Sequence, residues 1–367
     1  MIVYYDESIL SYVASIRKYF GLSSSYKAND KFMAYLDKQK PKKVFVLLVD
    51  GMGSNLIKRK LSEDSFLRKN MLYEVLTVFP STTTAATISI LNGKSPNENA
   101  WLAWTQYIKE VSDVIIPFYG CSYYGDKQYD SDLMMKLYPI NPIYDELNSK
   151  NIKATSLYPA FKENGYNDFD AMCRQLIKYS NHSDYEFAYA YWDKYDTYMH
   201  NYGPNNKICD SYLEYINDEI EYLANHLNQD TLLVVLADHG QVEVKESYNL
   251  YDSKYEKYFR LPPSLESRAQ AFFIKEGMKD DFRKEFINEF EDRFVLLDQK
   301  QVLDLNIFGS TSNHERLTEF IGDFLAIGKS TTVFAYQEGY YEEKQGQHAG
   351  MLDDEMMVPI IMYKNTK

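Results

Sequence analysis

Three continuous apolar runs, each closing on a carboxylate, constrain this chain more than anything else in its sequence. Residues 44–49 run into Asp50, Phe187–Trp192 into Asp193, and residues 232–237 into Asp238. An unbroken apolar run of this length suits a strand buried on both faces, as in a parallel sheet covered by helices. Residues 358–363 make a fourth such run. Helical periodicity lies between them, in residues 212–228 and, ahead of the first run, in residues 7–20, where Ile9, Leu10, Val13, Ile16 and Phe20 share a stripe. The alternation predicts an α/β fold: a doubly wound, mostly parallel sheet flanked by helices.

At 367 residues the chain is long enough for two domains, or for one large domain carrying an insertion. Residues 255–330 differ in texture: a strand-like 269–275, a charged helix around 280–292, then a strand-like 294–298. Residues 1–254 together with 331–367 therefore read as the core, and 255–330 as a small inserted α+β lobe.

A formal net charge of −13 argues against a broad positive field for a nucleic acid duplex or an anionic membrane. It leaves room for a small anionic substrate, because a bound metal reverses the sign locally. No apolar run approaches the roughly 20 residues a membrane helix needs. Asp6 and Glu7 interrupt the N-terminus where a signal peptide would be apolar, so the expectation is a cytoplasmic protein. Cys121, Cys173 and Cys209 are odd in number and widely spaced, which fits free thiols. The 34 tyrosines, Tyr185, Tyr189 and Tyr191 among them, read as amphipathic filler, with a stacking surface for a ring as the alternative.

In an open α/β sheet the ligand site lies beyond the carboxyl ends of the strands. Asp50 opens DGMG there, Asp238 is joined by His239 and Gly240, and Asp193 and Asp196 follow the third run. Asp196 and His200 are spaced i, i+4, so both lie on one face of a helical turn. His348 sits in GQHAG, where glycines permit close backbone approach. Bland readings exist for each: a hairpin turn at Asp50, a capping His239, an exposed helix pair, a solvated loop histidine. His182, His226 and His314 have no comparable setting.

Between Pro80 and Gly93 a short helix is predicted to start near Thr83 or Thr84. Its threonines read either as an N-cap or as a nucleophile at a helix N-terminus, where N–H groups and the dipole favour a phosphate. A free hydroxyl is a poor nucleophile at neutral pH, and metal coordination is one way to activate it. Three Asp, three His and one Thr suffice for two metal sites able to hold both oxygens of an in-line phosphoryl displacement.

The ordered set DGMG, FPSTTTAATISILNG, YDTYMHNYGP, LADHG and HAGMLDDEMMVPIIM resembles the alkaline phosphatase superfamily, and within it the type I phosphodiesterase/nucleotide pyrophosphatase family. The resemblance implies a dimetal phosphodiesterase acting on a small phosphate ester through a phospho-threonine at Thr83. It implies one metal on Asp50, Thr83, Asp238 and His239 and a second on Asp196, His200 and His348. Zinc is the usual metal, and the mixed donors also admit manganese or iron. Trp104 stands where the nucleotide pyrophosphatases carry an Asn that contacts the phosphoryl group. A phosphomonoesterase, a phosphonate or sulfate-ester hydrolase, or a metal-dependent phosphomutase are the alternatives on the same site. A monoesterase commonly adds a basic side chain, for which Lys94 and Lys109 are the candidates; residues 95–130 and 255–330 are expected to line the pocket.

Overall fold

The computed structural model describes residues 4–339 and 343–366. The apolar runs form the strands Lys43–Val49, Phe187–Trp192 and Thr231–Leu236, buried along almost their whole length. They belong to a six-stranded sheet ordered Met71–Leu76, Met357–Lys364, Thr231–Leu236, Lys43–Val49, Phe187–Trp192, Ala154–Leu157. Lys43–Val49 pairs in parallel with both neighbours, Leu48 opposite Leu236 and Val49 opposite Trp192. That register delivers the residues that follow, Asp50, Asp193 and Asp238, to one edge of the sheet.

Met357–Lys364 runs antiparallel to both of its neighbours, although its apolar run reads like the others. The connection explains this. A parallel strand needs a crossover of a dozen or more residues to return to the starting edge. Only the short helix Asp353–Met356 separates this strand from the His348 loop. The chain therefore enters it at the carboxylate edge and runs away, which keeps His348 beside the aspartates.

The helices Ile9–Tyr19, Asp30–Gln39 and Thr83–Asn92 pack as one group, and Ser54–Lys60, Phe169–His182, Lys194–Tyr202 and Lys207–His226 as another. Ile9–Tyr19 starts where the Ser8 hydroxyl accepts from the Leu10 N–H, and it buries Ile9, Leu10, Val13 and Ile16 as its periodicity predicts. Phe20 falls just past its end, edge-on to Phe187.

Residues 259–328 build a four-stranded antiparallel sheet ordered Phe259–Glu266, Ala269–Ile274, Phe324–Gly328, Phe294–Asp298, covered by the helix Lys279–Phe290. Its core is largely phenylalanine: Phe272, Phe282, Phe286, Phe290, Phe294 and Phe334. Leu250 and Phe334 join this cluster from outside residues 255–330, because Glu246–Asn249 pairs with Thr332–Ala335. Leu265, Ala269 and Phe273 instead pack into the main core, so the sheet shares side chains with the larger body.

Arg268 and Glu355, both fully buried, join the two parts. Arg268 Nε and Nη2 donate to Glu355 at 2.6 and 2.8 Å, and Nη1 donates to the carbonyls of Ser330 and Thr332. Glu355 also accepts from the N–H groups of Gly350 and Leu352. Removing one partner strands a buried charge, so Arg268→Ala should cost about 3–5 kcal/mol of stability, whereas a double apolar replacement should recover much of it. Denaturant unfolding of the single and double variants checks this; equal losses would show that the pairing itself carries the stability.

Candidate active site

The seven side chains singled out from the sequence meet at the carboxyl edge of the parallel strands. Thr83 is the first residue of the helix Thr83–Asn92, with Thr82 as its N-cap. Thr83 Oγ1 lies 3.3 Å from Asp50 Oδ2 and 3.2 Å from His239 Nε2. His239 Nε2 is in turn 3.2 Å from Asp50 Oδ1 and 3.5 Å from Asp238 Oδ2. One turn apart on their helix, His200 Nε2 and Asp196 Oδ2 are 3.2 Å apart. The rings of His239 and His348 stack with centroids 3.8 Å apart, and those of His200 and His348 lie at 5.1 Å.

Among the described residues two donor groups are close enough to share an ion: Asp50, Asp238 and His239, and Asp196, His239 and His348. His239 thus stands between the two halves, while His200 enters through its contact with Asp196. Asp193 caps the helix Lys194–Tyr202 and belongs to neither group.

The donor set fits divalent metal. Each of the three histidines points Nδ1 at a backbone carbonyl: His200 at Gly346, 2.8 Å; His239 at Gly240, 3.0 Å; His348 at Ser81, 2.9 Å. A carbonyl only accepts, so Nδ1 carries the proton and Nε2 keeps its lone pair for the cluster. Asp238 Oδ2 is buried and accepts no hydrogen bond among the described residues. Its other oxygen accepts from the Gly51 N–H at 3.1 Å. Gly51 holds φ +72°, and a Cβ there would meet Met199 Cε at 2.8 Å, so DGMG needs its first glycine.

Proton affinities report the same crowding. Burial, then the charges of Asp238 and Asp196, push the Asp50 carboxyl well above the ordinary range. Burial pushes Asp238 up to about 7. Burial acts against Asp196 too, yet His200, His348 and His239 hold it below the usual carboxylate range. His200 and His239 are raised despite burial, by Asp196 and Asp50 respectively. His348 is driven well below an ordinary histidine by burial and by its histidine neighbours. Three buried carboxylates in one small volume disfavour one another's charge, and a divalent cation relieves that cost.

Some functional contacts were not readable from the sequence. The Tyr191 hydroxyl donates to Asp50, so this tyrosine is more than filler. The Gln241 amide donates to Asp196. Glu266, at the end of Phe259–Glu266, accepts from the Thr82 hydroxyl at 2.6 Å and the Trp104 N–H at 2.7 Å.

A cavity of about 760 Å³ opens over Thr83, Asp196, His200 and His348. Trp104, Thr105, Tyr123 and Tyr124 line it together with Leu265, Glu266, Ser267 and Gln270, the two segments expected to do so, and the Thr105 and Leu265 backbones are hydrogen-bonded to each other. Lys94 and Lys109 are not in its lining; Lys109 faces Glu319 instead, and among the described residues Lys344 is the lysine at the cavity. His226 and His314 lie elsewhere, against Tyr222 and Tyr138.

The sequence model of the type I phosphodiesterase/nucleotide pyrophosphatase family matches residues 100–351, more than half of the chain. The chain belongs to this family. It is an enzyme of phosphoric ester hydrolysis. The matched span holds Asp196, His200, Asp238, His239 and His348, while Asp50 and Thr83 precede it.

Among solved structures, murine ectonucleotide pyrophosphatase/phosphodiesterase 5 superposes with a TM-score of 0.66 at 17% identity, covering 87% of each chain. An inactive threonine-to-alanine form of that murine protein is in complex with AMP. The human counterpart gives 0.67 at 16% identity, over 88% of this chain and 87% of that one. Phosphonoacetate hydrolase from Sinorhizobium meliloti 1021, in complex with phosphonoformate, gives 0.61 at 13% identity, over 88% and 90%. At these identities the likeness is one of fold. No curated protein is significantly similar in sequence. No helix among the described residues is long and apolar enough to cross a membrane.

Proposed function

We propose that this enzyme cleaves small phosphodiesters by direct attack of Thr83 on phosphorus. The observation that carries the reading is the setting of Thr83 Oγ1, at a helix start within 3.3 Å of Asp50 and 3.2 Å of His239. In this reading Asp50, Thr83, Asp238 and His239 hold one divalent ion and Asp196, His200 and His348 a second, with zinc preferred and manganese or iron as alternatives. When bound, such ions supply positive charge to the phosphoryl oxygens and lower the proton affinity of the oxygens they touch.

Thr83 gives up its proton to solvent, and its oxygen forms a bond to phosphorus as the ester P–O bond breaks. The leaving group departs as an alkoxide with the electron pair and takes a proton from solvent to become the alcohol. Water then attacks the phospho-threonine, the Oγ–P bond breaks, and a phosphate monoester is released as Thr83 regains a proton. The first turn of Thr83–Asn92 offers N–H groups without partners inside the helix, suited to the equatorial oxygens. The unpaired Cys121, Cys173 and Cys209 fit a reducing compartment such as the cytoplasm.

The test compares bis(p-nitrophenyl) phosphate with p-nitrophenyl phosphate on zinc- and manganese-loaded protein, with chelated protein as control. Metal-dependent cleavage with a higher kcat/KM for the diester is expected. Preference for the monoester would overturn the diester assignment, and no turnover with metal bound would overturn the hydrolytic one.

A further inference from the structure

Glu266 is a carboxylate that the proposed chemistry does not use, yet it lines the same cavity as Thr83, Asp196, His200 and His348. Strand Phe259–Glu266 carries it there from the phenylalanine-rich sheet. Both of its hydrogen bonds fall on Oε1, from the Thr82 hydroxyl next to the nucleophile and from the Trp104 N–H. Among the described residues Oε2 accepts no hydrogen bond, and no lysine or arginine forms an ion pair with Glu266. Lys344, also at the cavity, is exposed, so water and salt screen its charge. Trp104 stands where the family resemblance places a phosphate-contacting Asn, and its N–H is committed to Glu266.

We propose that Glu266 sets the charge of the ester this site accepts, excluding dianionic monoesters in favour of monoanionic diesters. The inference rests on the phosphodiesterase reading and deepens it. A phosphate diester carries one negative charge at every working pH, whereas a monoester approaches two above its second pKa of about 6. An unpaired carboxylate in a partly dry cavity repels the second charge far more than a solvated one could. Burial raises its proton affinity above the usual carboxylate range, and the Thr82 and Trp104 hydrogen bonds, which favour the charged form, limit that rise. Oε1 is held by two donors, so the group cannot swing aside to relieve the repulsion without abandoning both.

The test measures kcat/KM for the matched aryl diester and monoester in metal-loaded wild type, Glu266→Gln and Glu266→Asp. The Gln variant keeps an acceptor for Thr82 and Trp104 and removes the charge; the Asp variant keeps the charge. The monoester-to-diester ratio should rise about tenfold or more in Glu266→Gln and stay near the wild-type value in Glu266→Asp. A structural role alone would lower both rates together and leave the ratio where it was, which overturns the proposal. Inhibition of the wild type at pH 8 gives an answer that needs no variant: dimethyl phosphate must inhibit more strongly than monomethyl phosphate. The reverse order overturns the proposal even if neither variant folds. Diester cleavage with an unmoved ratio sinks only the role of Glu266. Absence of diester cleavage in the wild type sinks the underlying reading as well.

Discussion

Replacing Thr83 by alanine should lower kcat/KM for the diester by roughly 10⁴-fold or more, the scale seen when a nucleophile is removed from a working constellation. The fold should be indifferent to the change. Thr83 sits at the start of its helix rather than at the N-cap, and the bond from the Thr87 hydroxyl runs to its backbone carbonyl, which alanine retains. Thermal unfolding of the variant should therefore match the wild type within a few degrees. Thr83→Ser, which keeps an oxygen at the same position, should retain measurable turnover. Acid quenching during turnover of bis(p-nitrophenyl) phosphate, followed by intact-mass analysis, should find one p-nitrophenyl-phosphoryl group on wild type and none on Thr83→Ala. An alanine variant that still cleaves the diester at the wild-type rate would end the covalent route. Loss of activity with no trapped aryl-phosphoryl group in the wild type would leave Thr83 a mere ligand.

The positions of these groups were legible in the sequence to different depths, for physical reasons. Asp50 and Asp238 could be placed because a buried strand announces itself by an unbroken apolar run, and the residue that follows must emerge at the sheet edge. The i, i+4 spacing placed His200 with Asp196 for a similar reason, since helical geometry is local. His348 was found through its flanking glycines, but its place beside His239 depends on the reversed strand Met357–Lys364. The direction of that strand follows from the length of its connection, which apolarity does not encode. Tyr191, Gln241 and Glu266 were not legible at all. Each reaches the site through partners far away in sequence: Asp50 is 141 residues from Tyr191, and Thr82 is 184 from Glu266. Lys109 shows the converse, a charge near the motif in sequence that the fold turns toward Glu319.

Stripping the metal should abolish turnover and expose a pH dependence of stability that the loaded protein lacks. An ion at a thousandfold excess over its Kd stabilises by about 4 kcal/mol, a readily measured shift in unfolding temperature. In the metal-free protein Asp238 holds its proton up to about 7, and Asp50, His200 and His239 are raised as well. A group that binds its proton more tightly when folded contributes stability below its unfolded pKa, about 3.9 for Asp and 6.5 for His. That contribution is lost as pH rises through the folded value. His348, lowered by burial, acts in the opposite sense and ceases to destabilise as pH rises through about 6.5. Asp196, held below the usual range, is ionised in both states above pH 6 and changes nothing there. Four groups against one make the metal-free protein less stable at pH 8 than at pH 6. Bound metal displaces these protons, so the loaded protein should show little of this slope, and the gap between the two unfolding temperatures should widen toward pH 8. A gap that stays constant or narrows would mean that the buried carboxylates are not where the cation binds.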